Sequence, residues 1–430
     1  YTDWIYGDYD LVKQFIEDGQ DLKPWLEAQG ALFVEDEQPT LIGALWHREN
    51  QFIGFDANGD GKPEDGGQWG TYFLPPRRTL LETSSTAKDN KIMLRTDAKE
   101  LILENGRVTG VKAVMYDGTQ VTAHAKKGVI IATGGYAANV SKVLETNDYW
   151  QQGYITKKTQ TTNRSSLTGS GIEMAEKANA ATTGMAYTQL MPISWIDNGQ
   201  LAFGGGNYAI YINPTTGKRF VNETSDVLSL AELNNGIEKN GSKGVFLEIA
   251  NSNQAIPGPY PYGTPKTPES WEADVEWRQY TRTVDQFADL FKHLGLSLDA
   301  QTGIEEIKAF DMALMTGTED KLAVTKTGWT ALIGNATKKA DGSFDVSSYT
   351  LDGVKLKIRV MAPSTHHTMG GIAVDTERHV LDNSGHPIKG LYAAGEVTGG
   401  IHGGNRRGGN AIVEIFVSGR TAANSIKKDN

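Results

Sequence analysis

The sequence predicts a mixed α/β fold, with α+β character, in which one domain is split in sequence and a second is inserted into it. Three observations predict this. Short β-rich runs from about residue 92 end in a strand and a glycine turn, GVIIATGG (128–135). From about 187 to 354 the character changes, with aromatic and proline-rich loops such as AIPGPYPYGTPKTPESW (255–271). From about 355 strand–turn–strand patterning returns and leads into a closing helix, GNAIVEIFVSGRTAANSI (409–426). The first domain is therefore read as 1–186 with 355–430, and the second as 187–354.

Each element has its own signal. Leu11, Val12, Phe15 and Ile16, then Leu22, Trp25 and Leu26, recur at helical spacing, and Gly30 is a stop. The runs KIMLRTDAKELILENG, RVTGVKAVMYDG and TQVTAHAKKGVIIATGG, punctuated by Asn105-Gly106 and Asp117-Gly118, read as an antiparallel meander. GVIIATGG is expected to be a fully buried strand. TGSGIEMAEKANA (168–180) reads as a helix capped by Ser170 or Thr168. VDQFADLFKHLG (284–295) is helical, and GLYAAGE (390–396) is a second buried strand.

Composition bounds the function. Asp plus Glu number 52 against 42 Lys plus Arg, a net charge of -10, and no basic cluster interleaved with aromatics is present. Nucleic-acid binding is excluded on that ground. No apolar run approaches the roughly 20 residues of a membrane helix. With no cysteine, the chain has no disulfide, thiolate nucleophile or iron–sulfur ligand. That leaves the compartment open, with an extracytoplasmic location preferred to a cytoplasmic one.

Four stretches carry chemistry. ATGGY (132–136), at a strand end, can turn backbone N–H groups toward an anion or a flat cofactor; the alternative is a tight connection without a ligand. GGIHGGNRRGGNA (399–411) has six glycines and leads into a helix N-terminus, with Arg406 and Arg407 as fork-shaped donors for a carboxylate. In STHHTMGG (364–371), adjacent His366 and His367 point to opposite faces of a strand, so one metal does not take both. In DANGDGKPED (56–65), Asp56, Asn58 and Asp60 at alternating positions open a calcium loop that Glu64 or Asp65 completes. Position twelve is Gly67 rather than an acid, so the loop departs from the standard pattern, and a solvated acidic turn is the other reading.

HHTMGG, followed by GEVTGGIHGGNRRGGNA, together with ATGG, TGSGIEMAEKANA and NPTTGKRFVNE, resembles the soluble flavoprotein fumarate reductases and their relatives, urocanate reductase among them. The resemblance implies a Rossmann-like FAD-binding domain interrupted by a capping domain. It implies FAD contacts from Thr133, Gly134, Gly135, His367, Gly395, Glu396, Gly408, Gly409, Asn410, Ala411 and Ile412. His366 and Arg406 would hold the substrate carboxylate. The chemistry implied is hydride transfer from reduced flavin to a polarised C=C bond, with a proton delivered to the neighbouring carbon.

Two departures shape the expectation. The family's GxGxxG segment would precede Tyr1 and is not in this sequence, so the chain reads as a fragment, a trimmed product or the ordered part of a longer chain. The inserted domain lacks the family's proton relay. Met191 replaces a substrate-binding His, Leu201 and Ala202 replace Thr-Glu, Gly205 replaces a relay Arg, and Val227 or Asp226 replaces the proton-donating Arg. Arg407 stands where relatives are apolar.

A site with one carboxylate clamp, walled by Met191 and Leu201, suits a monocarboxylate with an apolar or aromatic tail. Tyr208, Tyr187, Asp226 and Arg407 are the candidate replacements for the donor. The leading expectation is an FAD-dependent reductase of such an enoate, urocanate-like rather than fumarate-like, fed by an external redox protein or a domain outside this chain. The alternatives are a ring dehydrogenase of the ketosteroid type, relying on Tyr208, and a non-catalytic binding protein.

Overall fold

The structure is a computed structural model that describes residues 7–34, 50–64, 71–202, 209–223, 228–252, 274–318, 322 and 331–430. In chain order its main elements begin with α1 (Tyr9–Gly19), α2 (Leu22–Glu27), β1 (Ala31–Phe33), β2 (Phe52–Phe55), β3 (Thr96–Glu104), β4 (Arg107–Met115), β5 (Gln120–His124) and β6 (Val129–Ile131). α3 (Leu74–Arg78) lies between β2 and β3, and β6 is followed by α4 (Val140–Thr146), α5 (Ser170–Lys177), β7 (Thr182–Thr183), β8 (Thr188–Trp195) and β9 (Ala209–Ile212). They continue with α6 (Leu228–Asn235), β10 (Ile237–Lys239), β11 (Ser242–Asn251), β12 (Gln279–Arg282), α7 (Phe287–His293) and α8 (Ala300–Thr316). The last are β13 (Leu356–Thr368), β14 (Gly371–Ile372), β15 (His379–Leu381), β16 (Pro387–Ala393) and α9 (Asn410–Lys428). Among the described residues no helix is long and apolar enough to cross a membrane.

The chain divides into two compact units. The first comprises 1–149, 163–189 and 366–430, and the second 150–162 and 190–365.

In the first unit the meander forms as its turns dictate, with β3–β4–β5 antiparallel. β16 joins it in parallel to β4 on one side and β6 on the other, with β15 antiparallel at its end. α9 lies against β16 through Ala422, Tyr392 and Ala394. Asp8 caps α1, its carboxylate accepting from Asp10 N and Leu11 N.

Three local expectations need correction. β6 is not fully buried: it pairs only with β16 among the described residues, and Ile130 is 37% exposed because the strand lies at the sheet edge. The cap of α5 is neither Ser170 nor Thr168 but Gly169, whose φ of +84° admits glycine readily and leaves Ser170 as the first helical residue. The first β run starts at Thr96, and Ile92, Met93 and Leu94 are exposed ahead of it.

The second unit is a sheet ordered β10-β11-β13-β12, with β8 beside β13 and β9 beside β11. β11 alternates faces, as a strand must. Val245, Leu247 and Ile249 share one core with Ile358 and Val360 of β13 and with Phe287, Phe291 and Phe310 of α7 and α8. Each of these buried aromatic side chains contributes about 1.5–3 kcal/mol. Phe246 lies on the opposite face, packed with Tyr211, Met361, Ala202 and Leu228 of α6.

Candidate functional site

In the first unit β6 runs out into the ATGGY turn, where Gly134 has φ +73°. Gly135 is where two segments converge on the backbone: a Cβ there would lie 2.0 Å from Oγ1 of Thr368 and 2.4 Å from Oε1 of Glu396. The same Thr368 hydroxyl accepts from Tyr136 N at 3.3 Å, and Tyr136 is fully buried. Thr133 is met from α5 by Gly171, where a Cβ would lie 2.0 Å from the Thr133 hydroxyl oxygen. These glycines let three segments close on one point without side-chain interference.

Glu396 follows Gly395 (φ +79°) at the end of β16. Its Oε1 accepts from Thr368 N at 3.0 Å and from Thr368 Oγ1 at 3.2 Å. Burial pushes its carboxyl up, the Thr368 bonds and Arg406 pull it down, and the net shift is upward. Gly395 N is fixed by Ser418 Oγ of α9 at 3.0 Å.

β13 ends by presenting His366 and His367. His367 is 5% exposed, its Nε2 lies 3.8 Å from Glu396 Oε2, and its Nδ1 has no partner among the described residues. Its ring meets His402 edge-on at 5.4 Å. Burial, then the Arg406 charge, lowers His366 and His402 each to about 4 and holds His367 well below the usual range. All three imidazoles are therefore neutral near pH 7, and Arg406 is the one cation among them.

Arg406 is 8% exposed. Its Nη1 donates to Arg407 O at 3.2 Å, its own carbonyl accepts from Gln189 Nε2 at 2.7 Å, and its Nε has no partner among the described residues. A buried guanidinium with a free donor, among neutral rings, is a socket for an anion. Arg407 is exposed instead. Its contribution here is its carbonyl, which also accepts from Asn410 N at 3.2 Å.

Gly408 and Gly409 bring the loop into α9, and at Gly409 (φ +79°) nothing lies within 4 Å of where a Cβ would sit. No side chain caps this helix; Asn410 N donates to Arg407 O and Ile412 N to Gly409 O at 3.0 Å, and Ala411 N stands between them at the positive end of the dipole. This donor set, with the Gly135 cradle and the orphaned His367 and Arg406 nitrogens, fits a planar, anionic cofactor and a carboxylate ligand.

The remaining candidates fall elsewhere. Met191 and Leu201 are in the second unit, half-buried on the two arms of a hairpin in which Leu201 pairs with Ser194 and Ala202 N donates to Ile193 O at 2.9 Å. Tyr208, Asp226, Gly205, Val227 and Asp65 lie outside the described residues. Tyr187 is half-buried in the first unit, edge-on to Tyr149.

Asp56, Asp60 and Glu64 do bring carboxylate oxygens within 4.8 Å of one another. The loop also closes on itself, because Asp56 accepts from Gly59 N and Gly61 N at 2.6 and 2.8 Å, and Glu64 accepts from Asn58 N at 3.1 Å. Asn58 Oδ1 is taken by Asp60 N at 2.9 Å.

Sequence reasoning missed three groups. His402 stood in the quoted loop, and its aromatic neighbours Phe15 and His367 come from distant segments. Glu414, one turn into α9, is buried behind Gly395 with its carboxyl pushed up to about 7 by burial. Facing it electrostatically is Arg378, fully buried at φ +67°, whose Nη2 donates to Gln14 Oε1 at 2.9 Å. An acid in an amphipathic helix and an Arg in a turn give no sign in sequence that both are buried.

A family model described as FAD binding domain matches residues 2–412. The chain is 34% identical over 433 residues to NADH:acrylate oxidoreductase of Vibrio harveyi, covering 98% of this chain and 37% of that protein. It is 28% identical to NADH:fumarate oxidoreductase of Klebsiella pneumoniae, covering 97% of this chain and 39% of that one. It thus spans well under half the length of these two relatives. In fold it is similar to the open conformation of a flavocytochrome c3 fumarate reductase, with a TM-score of 0.66 at 24% identity over 98% of this chain and 64% of that one.

Proposed function

Because the chain belongs to the FAD-binding-domain family, we propose that it is the flavin-holding part of a reductase that saturates the C=C bond of an α,β-unsaturated monocarboxylate. The substrate is of the urocanate or aryl-acrylate kind rather than fumarate. One observation carries the reading: Arg406 is a buried guanidinium whose Nε has no partner among the described residues, beside imidazoles that burial keeps neutral. One buried cation matches one carboxylate, and Met191 and Leu201, apolar where the resembled family carries polar groups, supply no second one. The relative from Vibrio harveyi carries a monocarboxylate, acrylate, in its name.

In this reading Thr133, Gly134, Gly135, the backbone at His367, Gly395, Glu396 and residues 408–412 hold FAD, which when reduced supplies the hydride. Arg406 fixes the carboxylate and stabilises the enolate charge that develops as hydride adds, an effect worth about 10²–10³ in rate for a preorganised donor. Neutral His366 donates one N–H to the same group and holds its plane. Electrons reach the flavin from an external redox protein or domain. Tyr208, Asp226 and Arg407 remain the sequence candidates for proton delivery, of which Arg407, exposed to solvent, is the least suited. A calcium ion on Asp56, Asn58, Asp60 and Glu64 remains part of the reading, supported by three carboxylates whose oxygens lie within 4.8 Å of one another, and it is separate from the reduction. A ring dehydrogenase acting on a neutral ketone would leave Arg406 without a counter-charge.

The test is turnover of a panel of enoates by the flavin-loaded protein with reduced viologen as electron source. Oxidation of the viologen by urocanate, cinnamate or acrylate is expected. Brisk turnover with fumarate and none with any monocarboxylate would overturn the substrate assignment.

A further inference from the structure

The first unit buries a carboxyl behind the residues that cradle the flavin. Glu414 of α9 is 3% exposed, and its Oε1 has no hydrogen-bond partner among the described residues. It lies four residues, about 6 Å along the axis, behind Asn410, where the helix starts. Its backbone is tied to the turn that carries Glu396, because Ser418 Oγ donates to Glu414 O at 2.7 Å and accepts from Gly395 N at 3.0 Å. Two buried acids therefore flank one tight turn. Glu396 is held by the Thr368 N–H and hydroxyl, and Glu414 Oε1 is left bare.

The cation facing Glu414 is Arg378, on the turn before β15. Arg378 is fully buried, its Nη2 donates to Gln14 Oε1 of α1, and its Nε and Nη1 have no partner among the described residues. Acid and guanidinium thus attract through space while nitrogens of one and an oxygen of the other stay unbonded. Arg378 is also shared, since Asp18 of α1 and Asp375 act on it too. The other charges along α9 are paired: Arg420 bonds Asp21 at 3.0 and 2.8 Å, Lys428 pairs with Glu377, and Asp429 bonds His379 and Tyr392.

A buried carboxylate with a bonded counter-charge stays ionised, and one with none stays neutral. Glu414 stands between these cases. Burial favours its neutral form, Arg378 favours the carboxylate, Glu396 opposes it, and the carboxyl is pushed up to about 7. A group so balanced responds to any further charge placed near it. At an effective dielectric of about 20, a unit charge about 10 Å away still moves such a titration by about one pH unit.

We propose that Glu414 is the redox-linked acid of the flavin cradle: it takes up a proton when the flavin is reduced and releases it on reoxidation. This rests on the flavin-holding part of the reading above and not on its substrate. In the balanced step, two electrons from an external one-electron donor and one proton from solvent enter the bound flavin, which gains one negative charge. A second proton from solvent forms the O–H bond of Glu414. When the charge leaves on reoxidation, that bond breaks and the proton returns to solvent. The linkage is electrostatic and holds at equilibrium, so no proton passes between Glu414 and the flavin, and Glu414 is a positioning residue for charge rather than one in contact with substrate.

Glu414→Gln keeps the size of the neutral acid and removes its titration. The test is the midpoint potential of the full-length, flavin-loaded protein, measured by spectroelectrochemistry from about pH 5 to about pH 9 with a viologen mediator. Below about pH 6 the acid is already protonated, so wild type and E414Q should share one slope of potential against pH. Above about pH 7 wild type should take up one proton more per two electrons than E414Q, and its potential should fall below that of the variant. The reduced-minus-oxidised infrared spectrum of wild type at about pH 8 should gain the C=O band of a protonated carboxylic acid, which E414Q lacks. That spectrum needs only wild-type protein, so it decides the matter even if the variant does not fold. Equal slopes in wild type and E414Q across the range overturn the inference, as does a wild-type spectrum without the acid band. A flavin-loaded protein that shows the linkage and reduces no enoate leaves the inference standing and overturns the substrate reading. A full-length protein that holds no flavin overturns both.

Discussion

Gly135 and Glu396 approach so closely that a Cβ on the glycine would lie 2.4 Å from the carboxylate oxygen, in the space where Thr368 also bonds that oxygen. The contact ties the turn after β6 to the ends of β13 and β16. Gly135→Ala is therefore expected to destabilise the first unit by about 1–3 kcal/mol through overpacking and to weaken flavin retention more than Gly409→Ala does. Gly409 has open space around it, and its cost is limited to its positive φ. Denaturant midpoints and the flavin content of the purified variants read the two effects separately.

Arg406 and Arg407 are adjacent in sequence and opposite in environment. Arg406→Lys replaces a planar fork with a point charge whose donors radiate from one nitrogen, so the fixed spacing between the Nη1 that reaches Arg407 O and the Nε is lost. Its kcat/KM for an enoate is expected to fall by about 10²-fold, with flavin binding preserved. Arg407→Leu, at an exposed position, is expected to stay within about threefold of wild type. A larger loss in the Leu variant than in the Lys variant would reverse the assignment of the carboxylate clamp.

His366 and His402 titrate at about 4 in the folded protein because burial and Arg406 oppose their charging. In the unfolded chain they titrate near the ordinary 6.5. Between those values the unfolded state binds more protons, so stability falls as pH drops through that window. His402→Asn should flatten the slope of Tm against pH there. A bound carboxylate has the opposite effect on His366, raising its pKa, so enoate binding should be accompanied by proton uptake in the same window, measurable by calorimetry in buffers of different ionisation enthalpy.

What the sequence could reveal follows from what each feature depends on. The glycine loop, the HHTMGG strand end and the meander depend on local backbone chemistry: Gly135 and Gly395 must be glycine wherever the chain turns so tightly, and Asn105-Gly106 dictates its own hairpin. Exposure depends on neighbours, and there the reading failed. Ile130 looks like any buried β-branched residue, yet its strand has a partner on one side only among the described residues. Glu232 looks like a solvated helix acid, and only the packing of α6 on β11 makes it an interior one. Gly169 replaced Ser170 as the cap because the chain enters α5 through a left-handed turn that only the third dimension reveals. The neutral state of His366 is likewise a product of burial beside Arg406, which the adjacent-histidine motif cannot encode.

His379 gives the opposite pH sign. Its Nδ1 lies 2.8 Å from Asp375 and its Nε2 2.8 Å from Asp429, which also accepts from the Tyr392 hydroxyl at 2.6 Å. Burial pulls its pKa down, the bonds to Asp429 and Asp375 outweigh that, and the net shift is upward. Asp429 follows the last turn of α9, and His379 and Tyr392 face each other in the β15–β16 register, so the imidazolium clasps the C-terminal helix to the sheet. A raised folded pKa means the stabilisation is fully present below the unfolded value of 6.5 and is lost as pH rises through the folded one. His379→Gln should therefore cost about 0.5–1.5 kcal/mol at about pH 6 and less at about pH 9, as wild-type His379 gives up its proton with rising pH. Denaturant midpoints of both proteins at the two pH values read this directly, and hydrogen exchange in the last turns of α9 should follow the same pattern. An equal cost at both pH values would mean that ring packing against Tyr392, 5.1 Å between centroids, holds the helix rather than charge.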